Sequence, residues 1–487
     1  MRTRRFAIAA GLLVLAACEF NILNTNQPTL GDLLTNPTRD KLTAAATGVM
    51  SSARTGMEGF IWRLGAMGRE GINLSGNNQP DYAEPFFGPV QGGGSFGGTQ
   101  WLDRYQSIRT ANIYLQALAN NTSQTGPNLL SDAERAASRG MANTYKALAF
   151  LYIIETRAQL GAPVDVDRTV DQGPAPWVTE DSVYGYILGL LNSAATDLTT
   201  AGSTAFPFSI PPGLAAFATP ANFLKFNRAL AAKANVLRAT ALNGCGGTPN
   251  TCYAAALTAL GQTFLSTVAA DFQTGAHLDF STDPGDQTNG LSEPLDGATY
   301  FALTSDTVDA QNQAGGSKDQ RVLDKIAPAE VPQILGGISI PGVLKFTLYF
   351  SNGAADAGRP IPIIKDEELL LLRAEASWFT GAKANALLDL DNVRTKSGLL
   401  PPTTLTIAST DAAFIAGLLY ERRYSLLWEQ GTRWIDARRF GLLATIPPAV
   451  AGGNVPEAMP VPFPECDARN LAPQTVGDLI TCTPLSP

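Results

Sequence analysis

Two segments of helical period, 366–380 and 383–397, are separated by Gly381 and Ala382 alone. So short a link permits only a tight reversal. The pair is therefore expected to be an αα-hairpin whose two apolar stripes bury each other. The same pattern recurs upstream. Trp101 to Ala119 carries Ile108, Ala111, Leu115 and Leu118 at helical spacing. Ser131-Asp132-Ala133-Glu134 is a capping box, and the helix it opens presents Met141, Tyr145, Leu148 and Tyr152 on one face before Gly161 and Pro163 stop it. Further helices are expected at 40–56, 180–200, 220–243, 253–268 and 411–430.

The fold class expected is mainly α: tetratricopeptide-like helix pairs with long irregular loops and little β, although no clean repeat of about 34 residues aligns. Two long segments break the series. Residues 71–100 are rich in Gly, Asn and Phe, and 270–365 mix Asp, Gly, Asn and Pro with short β-like runs such as Val343 to Phe350. Loops of that length in a folded domain are functional or disordered. With 45% hydrophobic and 16% charged residues, the chain can build a large core.

The N-terminus reads as an export signal. Arg2, Arg4 and Arg5 precede an apolar run, Phe6 to Leu15, that is too short to span a bilayer. The run ends in Leu15-Ala16-Ala17-Cys18, which resembles the bacterial lipobox. On that reading residues 1–17 are removed and the Cys18 thiol carries lipid, anchoring the chain to a membrane. Glu19 is not the aspartate that commonly retains lipoproteins at the inner membrane, so the outer membrane is expected.

Composition excludes several chemistries. His277 is the one histidine, which removes Ser-His-Asp, Cys-His and multi-histidine metal sites. A net charge of −8 without a basic stripe argues against nucleic acid. Cys245 with Cys252, and Cys466 with Cys482, form two local groups that read as disulfides in an exported chain. Zinc is the rival, but the spacings are not CxxC-like. Asp279, Asp283 and Asp286 lack EF-hand spacing and read as a solvated acidic loop rather than a calcium site. No metal or cofactor is expected.

The C-terminal third resembles the SusD/RagB family. Arg359-Pro360-Ile361-Pro362-Ile363-Ile364 precedes Glu367-Glu368-Leu369-Leu370-Leu371-Leu372-Arg373-Ala374-Glu375-Ala376, and Leu387, Leu390, Asn392-Val393-Arg394 and Gly398-Leu399 follow. Glu421-Arg422-Arg423 and the run Glu429 to Gly441 continue the family order, with Ser425 where glutamate is usual and Gln430 altering the spacing before Gly431. Pro462-Phe463-Pro464-Glu465 and Asn470 resemble its closing motif. Tyr105, Ile108, Ala111-Asn112 and the Tyr145–Gly161 stretch resemble its N-terminal half.

The resemblance implies one SusD-like helical domain over 18–487: an N-terminal half (about 18–270), a loop-rich insertion (about 271–358) and a C-terminal region (about 359–487). It also implies a lipid-anchored outer-membrane protein that binds a nutrient, typically an oligosaccharide, and hands it to a SusC-like TonB-dependent transporter. No catalysis is expected. The rival classes are a helical-toroid glycosidase, which needs paired carboxylates, and a protein-binding helical repeat scaffold.

Sugars need aromatic platforms flanked by polar groups. The expected ligand contacts are Asn73, Asn78, Asp81, Tyr82, Phe86, Phe87 and Trp101, with Tyr300 and Phe301 as weaker candidates. The charged residues Glu421, Arg422, Arg423, Glu429, Arg433, Asp436, Arg438 and Arg439 read instead as a structural ion-pair network, and Trp434 beside them as core. The anchor reading has a direct test. Cys18→Ala should abolish lipid labelling and release the protein from membranes; unchanged membrane partition of that variant would refute the lipobox.

Overall fold

The structure is a computed structural model, and it describes residues 29–75, 79–335, 338–340, 342–447, 455–476 and 479–482. The expected signal peptide and Cys18 lie outside the described residues. Helices dominate, and no described helix is long and apolar enough to cross a membrane.

Eight helices pack in chain order as four antiparallel pairs: Arg39–Ser52 with Thr99–Asn120, Asp132–Arg157 with Glu180–Ala201, Pro220–Ala239 with Pro249–Leu260, and Asp366–Phe379 with Lys383–Lys396. Each pair also contacts the next, so every helix buries its stripe against two neighbours. Local chemistry sets the helix ends. Ser131 and Glu134 form the expected capping box, and Thr179, Thr219 and Thr410 accept first-turn N–H groups. Gly161 turns the chain out of the second pair at φ +59°, where a Cβ would lie 1.9 Å from the Val178 carbonyl oxygen. The 366–380/383–397 hairpin forms where expected.

Several boundaries differ from expectation. The helix expected over 253–268 runs Pro249–Leu260, because Pro249 opens it and Gly261 ends it. The one expected over 411–430 stops at Ser425, and a separate helix, Thr432–Arg439, follows after Gly431 at φ +63°. The helix expected over 40–56 ends at Ser52, and a separate, largely buried helix, Met57–Met67, follows after Gly56 at φ +68°. The segment read as a loop over 71–100 contains a helix, Gln79–Phe87.

One insertion lies between the partners of the first pair and the other between the third and fourth pairs, and they fold onto each other. Gly71–Asn73, from within the first pair, joins Tyr300–Ala302, Leu344–Phe346 and Ile326–Pro328, from between the third and fourth pairs, in a four-stranded sheet. Behind it Trp428 is fully buried, stacked on Phe346 at 4.2 Å and edge-on to Tyr300. Gly65 and Gly71 make room for this indole; a Cβ at either would lie 2.5 Å from it. Both disulfides form, Cys245–Cys252 and Cys466–Cys482, with Cα separations of 5.9 and 5.5 Å.

Helix pairs and insertions meet through buried charge. Asp436 accepts from Arg422 at 2.6 Å and Arg439 at 2.8 Å, and Arg439 forks onto Glu375, which also accepts from Tyr253. Glu429 holds Lys325 and Lys365 at 2.9 and 2.8 Å. Lys233 donates to Gln430 and faces Glu155 and Glu368. Burial alone would raise the Asp436 carboxyl, but the two guanidiniums outweigh it and hold it below the usual range. Trp434, fully buried, donates to the Pro456 carbonyl and is core.

Asp436→Ala leaves two buried guanidiniums short of a partner and should lower stability by roughly 3–5 kcal/mol, read by denaturant unfolding. Glu70 should show the opposite linkage. Buried, and repelled by Asp306, its carboxyl is pushed up to about 7 from an ordinary 4.5. Between those values the folded chain holds a proton that the unfolded chain has released, so stability falls as pH rises. Asp306 and Asp366, raised to about 6 and about 7, add to the fall. Glu70→Gln should flatten it; identical slopes of melting temperature against pH in variant and wild type would reject this assignment.

Candidate functional site

The two insertions bring some of the expected contact residues together. Asn73 stands opposite Tyr300 in the sheet, donates to Asp81 at 3.1 Å and accepts the Ser75 N–H at 2.9 Å. Asp81 also accepts from Ser95, and the Tyr300 hydroxyl donates to Glu58. Arg63 reaches Ser95 at 3.3 Å. Asn73, Asp81 and Tyr300 are all buried; the Asn73 and Asp81 side chains are satisfied within one insertion, and the strand pairing of Asn73 with Tyr300 joins it to the other. Phe301 is buried with the Lys345 ammonium 4.3 Å from its ring centre.

Phe86 is half-buried beneath the Arg69 guanidinium, 4.3 Å away, and Tyr82 is half-buried. Phe87, 60% exposed, is the one expected platform that stands free in solvent. Asn78 lies outside the described residues. The acidic loop is engaged rather than convergent: Asp286 pairs with Arg54, and Asp279 accepts the Gly213 N–H at 2.8 Å. Among the described residues no group of three or more His, Cys, Asp or Glu is placed to hold a metal ion.

Trp101 belongs to a different place, an open cleft of about 570 Å³. Its aromatic wall starts on the first turns of the 99–120 helix, where Trp101 and Tyr105 lie one turn apart with ring centres 4.6 Å apart. Trp177 packs 5.5 Å from Trp101 and closes the strand pair that follows Gly161. Arg157 and Arg469 approach the Trp177 ring at 5.7 and 4.9 Å and hold it in place. Pro163, Pro174 and Pro462 complete an apolar surface.

Polar groups stand at the margin of this surface. Arg168 donates to Asp165 at 2.8 Å and to the Gln172 carbonyl at 2.9 Å, and its Nε has no partner among the described residues. Glu465 is held by Arg469 at 2.7 Å, and Arg469 also donates to the Ala175 carbonyl at 2.7 Å. An apolar aromatic wall with fixed donors and an acceptor beside it can take the C–H face of a sugar ring and its hydroxyls together. The volume is ordinary for a small-ligand site.

Of this cleft the sequence reading named Trp101 as a contact. It missed Tyr105, Arg168, Glu465 and Arg469 in that role, and Trp177 as the ring that packs behind Trp101. A signal was present in the Pro- and Asp-rich stretch 163–177, which follows a helix stop and ends in a tryptophan. Nothing in the sequence places that stretch beside residues 462–469.

No family model matches the chain, and no curated protein matches it. Solved structures do. A SusD superfamily protein from Bacteroides vulgatus superposes with a TM-score of 0.62 at 15% identity, over 88% of this chain and 97% of that one. The B. fragilis protein NanU gives 0.64 at 15% identity, over 93% and 99%. A laminarin-binding SusD-like protein gives 0.54 at 15% identity, over 88% and 97%. The likeness runs the length of the fold: this chain has the SusD-like architecture.

Proposed function

We propose that the protein is a lipid-anchored binding protein of the outer membrane that captures a glycan in the Trp101 cleft and delivers it to a TonB-dependent transporter. The observation that carries the binding step is the Trp101–Tyr105 wall, backed by Trp177, with Arg168 and Glu465 at its edge. The SusD-like fold supports the reading, since one protein sharing it is described as laminarin-binding. The lipobox-like Leu15-Ala16-Ala17-Cys18 supports the anchor. The transporter partner follows from the sequence resemblance to the SusD/RagB family.

Binding without bond cleavage fits the cleft's chemistry. Glycoside hydrolysis uses a pair of carboxyl groups roughly 5–9.5 Å apart across the scissile bond. Among the described residues Glu465 is the one carboxylate lining this cleft, and it is paired with Arg469.

The test is calorimetric titration with a panel of soluble oligosaccharides, in wild type and in Arg168→Ala. Arg168 is at the margin, so its loss should leave the melting temperature nearly unchanged. A lost charge-assisted hydrogen bond of about 1.5–3 kcal/mol should weaken binding roughly tenfold or more. Unaltered affinity for a glycan that wild type binds would place the ligand elsewhere, and release of reducing ends would make the protein a hydrolase.

A further inference from the structure

A second cleft, of about 560 Å³, opens on the other insertion, between the Gly275–Leu278 strand, the Gln320–Lys325 helix and the C-terminal end of the 383–396 helix. Its character is opposite to that of the Trp101 cleft. Most of its lining is polar, and several of the charged groups in its walls are almost wholly buried: Glu367 is 1%, Arg321 4% and Glu429 6% exposed. Most hydrogen-bonding capacity in these walls is used internally. Three places are not.

Glu429 spends Oε1 on both Lys325 and Lys365, and its Oε2 has no hydrogen bond among the described residues. His277 lies with Nδ1 3.2 Å from the Gly275 carbonyl oxygen, so that nitrogen carries the proton and Nε2 is an acceptor with no hydrogen-bond partner among the described residues. Burial favours this neutral form by pushing the imidazole's pKa down. At the rim the exposed Arg359 guanidinium has no side-chain partner among the described residues, and Lys396 makes one hydrogen bond, to the Thr267 carbonyl.

The cleft thus has free acceptors on half-buried or buried groups and free cationic donors on exposed ones. An ammonium group is a poor match for Glu429, because Lys325 and Lys365 already flank that carboxylate and would repel it. A hydroxyl donates there without charge. The cations favour an acceptor of negative charge, and four cations face three carboxylates in the lining of a chain whose net charge is −8. We propose that this cleft is a second binding site, for a hydroxylated carboxylate of the uronic-acid type. Its hydroxyls donate to Glu429 Oε2 and His277 Nε2, and its carboxylate is received by Arg359 and Lys396.

Because His277 is the chain's one histidine, its imidazole resonances need no assignment. The full-length protein is titrated with D-glucuronate, a short oligogalacturonate and D-glucose while these resonances are followed, with calorimetry alongside. Saturable shifts with at least one of the two uronates, and at least tenfold weaker binding of glucose, are expected. The responding uronate identifies a free acid or a glycan-borne one. Arg359→Ala and Lys396→Ala, both on exposed residues, should each weaken uronate binding severalfold or more, whereas Arg168→Ala should not change it. No His277 shift with either uronate overturns the proposal, as does equal response to glucose or unaltered binding in both cleft variants. Uronate binding lost in Arg168→Ala alone would assign the ligand to the Trp101 cleft and overturn the second site while leaving the first reading intact.

Discussion

Four helix pairs can stack on one another by burying apolar stripes, but nothing in that stacking says where two long insertions must settle. Charge pairing in the interior supplies that information. Asp436 binds arginines from two helices, Glu375 binds one of them again from a third, and Glu429 draws in a lysine from the insertion and another from the strand leading into the fourth pair. A buried ion that misses its partner costs several kcal/mol, whereas a leucine that slides by one position costs much less. The network therefore selects one arrangement of insertion on scaffold.

The first insertion is held by the same logic in a weaker form. Glu70 caps the N–H groups of Trp428 and Arg433, and the Asn73–Asp81–Ser95 chain satisfies buried polar atoms within and between loops. Around Trp428, apolar packing adds shape: Phe346 stacks on one face, and Gly65 and Gly71 leave the space that the indole fills. Irregular backbone is stable here because its polar groups are paired across insertions rather than along a helix. Such pairing also frees the outer surfaces of the loops to form clefts.

The two clefts illustrate how one fold can present different chemistry at separate places. The Trp101 cleft is built from helix ends and prolines, so its walls are apolar and its polar groups few. The His277 cleft lies against the ion network itself, so its walls are the exposed edges of groups whose other atoms are already paired. The first suits the C–H face of a ring, the second its hydroxyls and charge.

Much of the scaffold was legible in the residues. The 366–397 hairpin, the Ser131 capping box and the helices near 101–119, 180–200 and 220–243 follow from periodicity and caps, which act within a few residues and leave a local trace. The disulfide partners were legible because each is close in sequence. The structural role of the Asp436 and Glu429 network could be read from matched charges within the 421–439 stretch. The Met57–Met67 helix was not singled out: it follows the Arg39–Ser52 helix closely, and the expected helix over 40–56 ran across the break at Gly56 that separates them. Nor was the fate of the expected contact residues legible: composition cannot tell a solvent-facing platform, as Phe87 is, from Asn73, Asp81 and Tyr300, which close a seam between insertions. Trp101 could be singled out as an aromatic beside a polar loop, but Arg168, Trp177 and Arg469 become its neighbours only when residues 163–177 and 462–469 meet. By itself, then, the sequence determined most of the long helices, the 366–397 hairpin and which cysteines join, because those interactions span short stretches of chain. Tertiary structure alone decided where the clefts lie and which polar atoms remain free in them, because that depends on contacts between residues hundreds of positions apart.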